Sequence, residues 1–297
     1  MKIGISLITN RPDKTKRFLS TLKNTIIQGY EFVIGINFQS PFTPDLITEM
    51  LLDIEIKWRW VFNESYKDEK GLINFAQARL DSFKLLEDCD FIFMCDDDFE
   101  FKDSNRKCGY SSADRLKDCI EFMEKNPSCG LVRQCGFLGG SGFGRTITLS
   151  KNKIFDTSKG FLIRNDSNLI DERLAAPGAF EDHMICFTKI MNGFGVYNAF
   201  NSPTVKDKTT KVHDPFQSQG ELIPHEKPSY DINILKRTGF FKAHHILFGE
   251  EFVSSPSKNY LAWKLPRELV EMYLVAAKEK QFEPVYTMKF YRYKDKR

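Results

Sequence analysis

Residues Phe91–Glu100 read Phe-Ile-Phe-Met-Cys-Asp-Asp-Asp-Phe-Glu, so a run of largely apolar residues leads directly into three consecutive aspartates. An apolar run of this length is typical of a strand buried on both faces of a sheet. Such a strand carries the aspartates to the carboxyl end of the sheet, where open α/β folds bind their ligands. Adjacent carboxylates repel one another, and a cation among them relieves the repulsion; oxygen ligands suit Mg²⁺ or Mn²⁺ better than Zn²⁺. The alternative is a solvated acidic turn that closes the strand.

Strand and helix patterns alternate on the amino-terminal side of this segment. Strands are predicted over Lys2–Leu7, Glu31–Phe38 and Ile54–Phe62, and helices over Thr15–Gln28, Pro44–Leu52 and Gly71–Leu86. The alternation predicts an α/β fold, Rossmann-like, with a mostly parallel sheet flanked by helices.

The pattern becomes less regular on the carboxyl-terminal side. A helix is predicted over Ser111–Lys125, a strand over Leu131–Cys135, a glycine-rich loop over 136–144, a helix over Met184–Met191, an irregular polar segment over Asn201–Glu226 and a last helix over Arg267–Lys280. The glycine-rich loop has no Walker or dinucleotide spacing, so its glycines are expected to permit tight turns or close approach to a ligand. We expect one domain over residues 1–220, which carries the functional site, and a helical or irregular extension over 221–297 that packs on it and contacts the substrate.

The composition is that of an ordinary globular protein, with 297 residues, 41% hydrophobic and 28% charged. A net charge of +3 is too small to identify a polyanionic partner, although basic residues crowd the carboxyl terminus. The sequence contains no run of about 18 apolar residues, so it predicts no transmembrane helix. The first apolar run is too short for a signal peptide. The seven cysteines include no CxxC pair, which favours reduced, buried thiols over a zinc site. We therefore expect a cytoplasmic protein, in the host cytoplasm if a phage encodes it.

Several motifs, taken in order, resemble those of nucleotide-sugar glycosyltransferases of the GT-A fold, and of family 2 in particular. They are the turn Thr9-Asn10-Arg11-Pro12, the helix segment Gly71–Arg79, the triplet Asp96-Asp97-Asp98, the pair Glu181-Asp182 and His213. The resemblance covers roughly Lys2 to Asp214. The sequence departs from the family at Phe180, where Trp is common beside the acidic pair, and Lys151–Glu172 does not align.

The resemblance implies a set of donor-binding residues. Those expected to contact the nucleotide or its diphosphate are Thr9, Asn10, Arg11, Asp13, Arg79, Asp96 and Asp97. The triplet resembles the DxD motif, which implies Mn²⁺ or Mg²⁺ held by Asp98 with Asp96 and His213. Three alternatives stay open: Asp97 as a structural acid, Arg79 as an ordinary surface charge of its helix, and His213 as a packing residue with Asp214 as the ligand.

The later acidic pair is expected to supply the catalytic base. A carboxylate within reach of the acceptor hydroxyl contributes about 10²–10⁴-fold in rate. Asp182 is the candidate and Glu181 the runner-up, and such a base implies inversion at the anomeric carbon. The alternative is an acidic helix amino terminus favoured by the helix macrodipole.

The expected function is therefore a metal-dependent, inverting hexosyl- or pentosyltransferase that uses a nucleoside-diphosphate sugar, with UDP as the expected nucleotide. Its acceptor is a glycan or lipid-linked saccharide, or a hydroxymethylated DNA base as in phage-type DNA modification. A nucleotidyltransferase is an alternative, although the segment Thr9–Lys16 lacks the glycine-rich signature usual after the first strand of that class. A non-catalytic nucleotide-sugar-binding module is another.

Overall fold

The computed structural model describes residues 1–64, 75–103, 111–135, 147–151, 158–166, 168–170, 181, 185–186, 188–189, 192–201 and 216–218. The glycine-rich loop, Asp182, His213, the predicted helix Arg267–Lys280 and the whole extension over 221–297 lie outside these residues.

The amino-terminal half alternates strands and helices, as the sequence predicts. Its elements are β1 (Lys2–Thr9), α1 (Pro12–Thr21) with a 3₁₀ turn (Leu22–Thr25), β2 (Glu31–Gln39), α2 (Pro44–Leu51), β3 (Lys57–Asn63), α3 (Phe75–Lys84), β4 (Phe91–Asp96) and β5 (Phe99–Phe101). The first helix starts three residues earlier than predicted, because Pro12 occupies its first turn, where the missing N–H costs nothing.

The second half contains more strands than the sequence predicts. Its elements are α4 (Ser112–Lys125), β6 (Cys129–Cys135), β7 (Ile147–Lys151), β8 (Ser158–Arg164), β9 (Gly195–Asn201) and β10 (Phe216–Ser218). The prediction of an irregular segment over 201–226 is wrong at β10, which pairs antiparallel with β5. Of the predicted helix Met184–Met191, the described residues Ile185, Cys186, Thr188 and Lys189 are helical.

Eight strands form one sheet in the order β3-β2-β1-β4-β8-β6-β9-β7. The first four are parallel to one another, and β6 is parallel to β9. Strand β8 runs antiparallel between β4 and β6, and β7 runs antiparallel at the edge. The mostly parallel α/β sheet is thus confirmed, and the carboxyl ends of β1, β2 and β4 meet at one edge.

Helices cover both faces of the sheet. On one face Ile3, Ile5 and Leu7 of β1 pack in a core with Phe18 of α1 and Ile120 of α4. On the other face α3 lies against β1 and β2, where the hydroxyls of Ser6 and Ser82 are 2.8 Å apart. Successive residues of a strand point to opposite faces, so both faces of β1 are buried. None of the described helices is long and apolar enough to cross a bilayer.

The described cysteines are consistent with a reduced protein. Cys89, Cys95, Cys119, Cys129 and Cys186 are all buried thiols that form no disulfide. Burial raises the pKa of Cys129 to about 12 and that of Cys89 to about 12. These two thiols therefore stay protonated at neutral pH and are not nucleophiles.

Leu86 fills the space left by two glycines of neighbouring strands. A Cβ added at Gly35 would lie 2.8 Å from Leu86 Cγ, and one at Gly4 would lie 3.0 Å from Leu86 Cδ1. We expect Gly35→Ala to lower the free energy of unfolding by about 1–3 kcal/mol, because the core has no room for the methyl group. Urea unfolding measures the change.

The double variant Gly35→Ala/Leu86→Ala provides the control. It is expected to lose less stability than the sum of the two single variants, since truncating Leu86 makes room for the new methyl group. Gly29 has open space around it and a φ of +90°, so Gly29→Ala is strained by its backbone and gains nothing from Leu86→Ala. Strict additivity of Gly35→Ala and Leu86→Ala would show that Leu86 is not the obstacle.

Candidate active site

The acid triplet and the first turn of the chain meet at the carboxyl edge of the sheet. Ile8 of β1 pairs with Asp96 of β4, and Thr9 pairs with Phe38 of β2. The residues that follow these strands, Thr9-Asn10-Arg11 and Asp96-Asp97-Asp98, therefore lie side by side. This is the edge at which open α/β sheets bind ligands.

Asp97 is buried and bound by the first turn. Its side chain is 4% exposed, and it accepts hydrogen bonds from Thr9 Oγ1 at 2.6 Å, from Arg11 Nε at 3.0 Å and from Arg11 Nη2. The Thr9 hydroxyl also lies 2.6 Å from that of Thr15 in α1. Because protein groups donate to both of its carboxylate oxygens, this geometry favours Asp97 as the structural acid that fixes the turn.

Arg11 partly compensates the negative charge of the triplet. Burial works to lower the pKa of its guanidinium, but the hydrogen bonds that it donates to Asp97 and the charges of Asp96, Asp97 and Asp98 outweigh this effect, so the pKa is raised. The Arg11 side chain keeps 36% of its surface exposed. It is therefore both an anchor for Asp97 and a group that a ligand can reach, and the exposed residues Asn10 and Asp13 lie beside it in the chain.

Arg79 of α3 is fully buried behind the end of β4. Its Nη2 donates to Asp96 Oδ1 at 2.6 Å, and its Nη1 donates to the carbonyl oxygens of Cys95 at 2.9 Å and Ser6 at 3.4 Å. The reading of Arg79 as a surface charge is excluded, because none of its side chain is exposed. The same burial argues against direct contact between Arg79 and a diphosphate, and leaves Asp96 as the exposed member of this pair.

Asp96 and Asp98 present the carboxylates that remain for a ligand. The Asp96 side chain is 62% exposed although it is bonded to Arg79. Asp98 is half-buried, and within the part of the chain that the structure describes it forms no hydrogen bond or ion pair. The three neighbouring acids thus have three different environments, and Asp98 is the one not held by described protein groups.

The donor set fits a hard divalent cation bound together with phosphate. Among the described residues no three or more His, Cys, Asp or Glu side chains cluster closely enough to enclose a metal ion. Mg²⁺, however, is commonly held by one or two carboxylates, with water and substrate phosphate oxygens completing its shell. Asp98 and Asp96 supply two such carboxylates, and the third expected ligand, His213, lies outside the described residues.

Glu181 also lies near the Arg79 guanidinium. Its Oε1 is 3.9 Å from Arg79 Nε, and its side chain is 15% exposed. The structure thus brings one member of the predicted acidic pair to the cation that holds Asp96, although about 85 residues separate the two acids in the chain. Its neighbour Asp182 lies outside the described residues.

Sequence reasoning missed Thr15 as part of the site. This threonine is buried and joins α1 to the Thr9–Asp97 network. Its spacing from Phe18 and Leu19 places it on the inward face of the helix, so a polar residue on an apolar face was the available signal. The bond from Arg79 to the Cys95 and Ser6 carbonyls had no such signal, because it depends on tertiary packing.

We expect Asp97→Asn to lower the free energy of unfolding by about 1–3 kcal/mol, because the amide replaces one of the two accepting oxygens with an NH₂ group that cannot accept from Arg11 or Thr9. Chemical unfolding monitored by circular dichroism measures the loss. Asp98→Asn is the matched control, with an expected change within about 0.5 kcal/mol, since Asp98 has no described partner to lose. Equal destabilisation by both variants would contradict the different environments of the two acids.

No protein-family model matches the sequence, and no curated protein matches it. Among solved structures, the chain is similar to residues 1–349 of TarS from S. aureus, with a TM-score of 0.47 and 13% identity over 94% of this chain and 72% of that one. It is also similar to the mannosyltransferase PcManGT from Pyrobaculum calidifontis, solved with GDP-Man and Mn²⁺, with a TM-score of 0.45 and 10% identity over 92% of this chain and 69% of that one.

A CMP:2-keto-3-deoxy-manno-octonic acid synthetase with CTP matches with a TM-score of 0.38 and 12% identity over 69% of this chain and 92% of that one. All three scores are below 0.5, so these similarities do not assign a function to the chain. The fold and site define the chain as an α/β protein with a cluster of acidic residues at the carboxyl edge of its parallel strands.

Proposed function

We propose that the protein is a metal-dependent glycosyltransferase of the GT-A type that moves a sugar from a nucleoside diphosphate to an acceptor hydroxyl. The observation that carries the proposal is the division of the acid triplet. Asp97 is buried and bound by Thr9 and Arg11, and Asp96 is bound by Arg79 yet exposed. Asp98 forms no hydrogen bond or ion pair with the described residues. A purely structural acidic turn gives no reason to keep the third carboxylate unpaired beside two others.

The donor is a nucleoside-diphosphate sugar, with UDP as the proposed nucleotide. Asn10, Arg11 and Asp13 offer exposed polar groups next to the acids, and the guanidinium of Arg11 has donors beyond the two that bind Asp97. The Thr9–Asp97 bond holds this turn in place before a ligand arrives. Preorganisation of this kind reduces the entropy lost on binding.

Asp98, Asp96 and His213 would hold Mn²⁺ or Mg²⁺ at this edge. When bound, such a cation supplies positive charge against the negative charge that develops on the diphosphate leaving group. The protein keeps its own cations, Arg11 and Arg79, on Asp97 and Asp96, so Asp98 stays available.

The acidic pair performs the proton chemistry. The oxygen of the acceptor hydroxyl attacks the anomeric carbon, and Asp182 takes the proton of that hydroxyl. At the same time the bond from the anomeric carbon to the diphosphate breaks, and its electron pair stays on the phosphate oxygen. Glu181 is the alternative base. A single displacement of this kind inverts the anomeric configuration.

The acceptor is part of the proposal only as a hydroxyl-bearing molecule. Glycans, lipid-linked saccharides and duplex DNA with hydroxymethylated bases are the classes to test. DNA is the one that predicts a steep loss of binding with salt, because phosphate contacts release counterions. A flat salt dependence between low and moderate ionic strength would remove DNA from the panel.

The test is an NMR assay of a donor panel with Mn²⁺ or Mg²⁺, with and without acceptors. Release of a nucleoside diphosphate from one donor, dependent on the metal and lost in Asp98→Ala, supports the proposal. Release of pyrophosphate from a nucleoside triphosphate would instead indicate nucleotidyl transfer. Metal-dependent nucleotide binding with no turnover on any acceptor would indicate a binding module, and the absence of metal-dependent nucleotide binding would reject the proposal.

A further inference from the structure

One buried cation faces both acidic groups of the candidate site. The Arg79 side chain is 0% exposed, and within the described residues its acidic partners are Asp96, at 2.6 Å from Nη2, and Glu181, at 3.9 Å from Nε. Asp96 belongs to the donor side of the proposed reaction and Glu181 to the acceptor side. The guanidinium therefore contacts one carboxylate on the proposed donor side and one on the proposed acceptor side.

The two contacts are unequal. The Arg79–Asp96 contact is a short charge-assisted hydrogen bond, whereas 3.9 Å is ion-pair range and too long for a hydrogen bond. The Nε–H of Arg79 is buried and donates no hydrogen bond in the described part of the chain. A buried charge is stable only when an opposite charge compensates it. A ligand that draws Asp96 away from the guanidinium therefore leaves Glu181 as the remaining described carboxylate near Arg79, and favours a closer Arg79–Glu181 contact.

We propose that Arg79 is a positioning residue that couples Asp96 to Glu181, so that a cation bound at Asp96 tightens the Arg79–Glu181 contact and fixes Glu181. This inference rests on the proposed function and adds the order of events to it. The donor with its cation binds first, and the acceptor side becomes fixed as a result. Arg79 touches no substrate in this scheme.

The first test needs no ligand. In a double-variant cycle, Asp96→Asn and Glu181→Gln each leave Arg79 with one of these two carboxylates. The double variant Asp96→Asn/Glu181→Gln removes both carboxylates. We expect the double variant to be less stable than the single variants predict, by a factor of about 3 to 100 in the unfolding equilibrium constant. The cycle Asp97→Asn with Glu181→Gln is the control and is expected to be additive, since Asp97 belongs to the Arg11 network.

Arg79 variants test whether the guanidinium carries the coupling. The non-additivity is expected to vanish in Arg79→Gln, which has no buried charge. It is expected to shrink in Arg79→Lys, because the guanidinium reaches Cys95, Asp96 and Glu181 from three separate nitrogens whereas lysine has one. If Arg79→Gln does not fold, the lysine variant decides the point. An additive cycle in the wild-type background, or a cycle unchanged in Arg79→Lys, would overturn the proposal.

The second test measures Mn²⁺ affinity from water-proton relaxation in the presence of UDP. Glu181→Gln is expected to weaken Mn²⁺ binding about threefold or more, because the guanidinium then rests on Asp96 alone and competes with the ion, and Arg79→Gln is expected to abolish that effect. Equal weakening with and without Arg79 would show a through-space charge effect and overturn the coupling. If wild type binds no Mn²⁺, the proposed function fails, and the stability cycle still decides the coupling by itself.

Discussion

The Asp98→Ala variant is expected to lose metal-dependent release of nucleoside diphosphate by at least about 10²–10³-fold, the usual loss when a group that stabilises transition-state charge is removed. Asp98 is the acid of the triplet without a hydrogen bond or ion pair among the described residues. We therefore propose its carboxylate as the cation ligand of the triplet, since binding there would break no contact with a described residue. Donor hydrolysis followed by NMR gives the rate, and the relaxation of water protons by Mn²⁺ gives the metal affinity.

Stability measurements separate this loss from a folding defect. Asp98→Ala is expected to unfold at the same urea concentration as wild type, in contrast to Asp97→Asn. Asp103→Asn is a charge-matched control, because Asp103 is an exposed acid that is outside the triplet. Unchanged Mn²⁺ affinity in Asp98→Ala would show that Asp98 is not a metal ligand, whatever happens to the rate.

The sequence was sufficient for the part of the fold that positions the site. The apolar run before the aspartates predicted β4, and the alternation before it predicted the neighbouring parallel strands, because each signal lies in a short stretch of chain. Strand β8 was missed. Its insertion between β4 and β6 is a non-local pairing, and a short apolar run such as Phe161–Ile163 does not reveal its partner.

The sequence predicted where the three acids lie in the fold, but it did not predict which protein groups bind each of them. Position along the chain put Asp96, Asp97 and Asp98 at one sheet edge, yet it could not show that they have different environments. Arg11 and Arg79 carry the same charge, and only the packing of α3 decides that Arg79 is buried whereas Arg11 keeps a third of its surface exposed. Burial and pairing are tertiary properties, so residue type alone left the structural and ligand-binding roles of these groups open.

The acidic pair is the second position at which we expect a large effect. Asp182→Asn is expected to lower kcat by about 10²–10⁴-fold, because an amide cannot take the proton of the acceptor hydroxyl. Asn is nearly isosteric with Asp, so the KM for the donor and the free energy of unfolding are expected to stay unchanged. Single-turnover transfer with saturating donor and acceptor measures the chemical step apart from product release.

Glu181→Gln is the matched control for this base. Glu181 Oε1 lies within ion-pair range of the buried Arg79 guanidinium, so this carboxylate already has a protein cation as a partner. We therefore expect the smaller loss in kcat for Glu181→Gln, and the reverse order would make Glu181 the base. The anomeric configuration of the product decides the wider mechanism, because a carboxylate that only deprotonates the acceptor requires inversion. Retention would assign the acidic pair a different task, since a single displacement from the opposite face could not then be the mechanism.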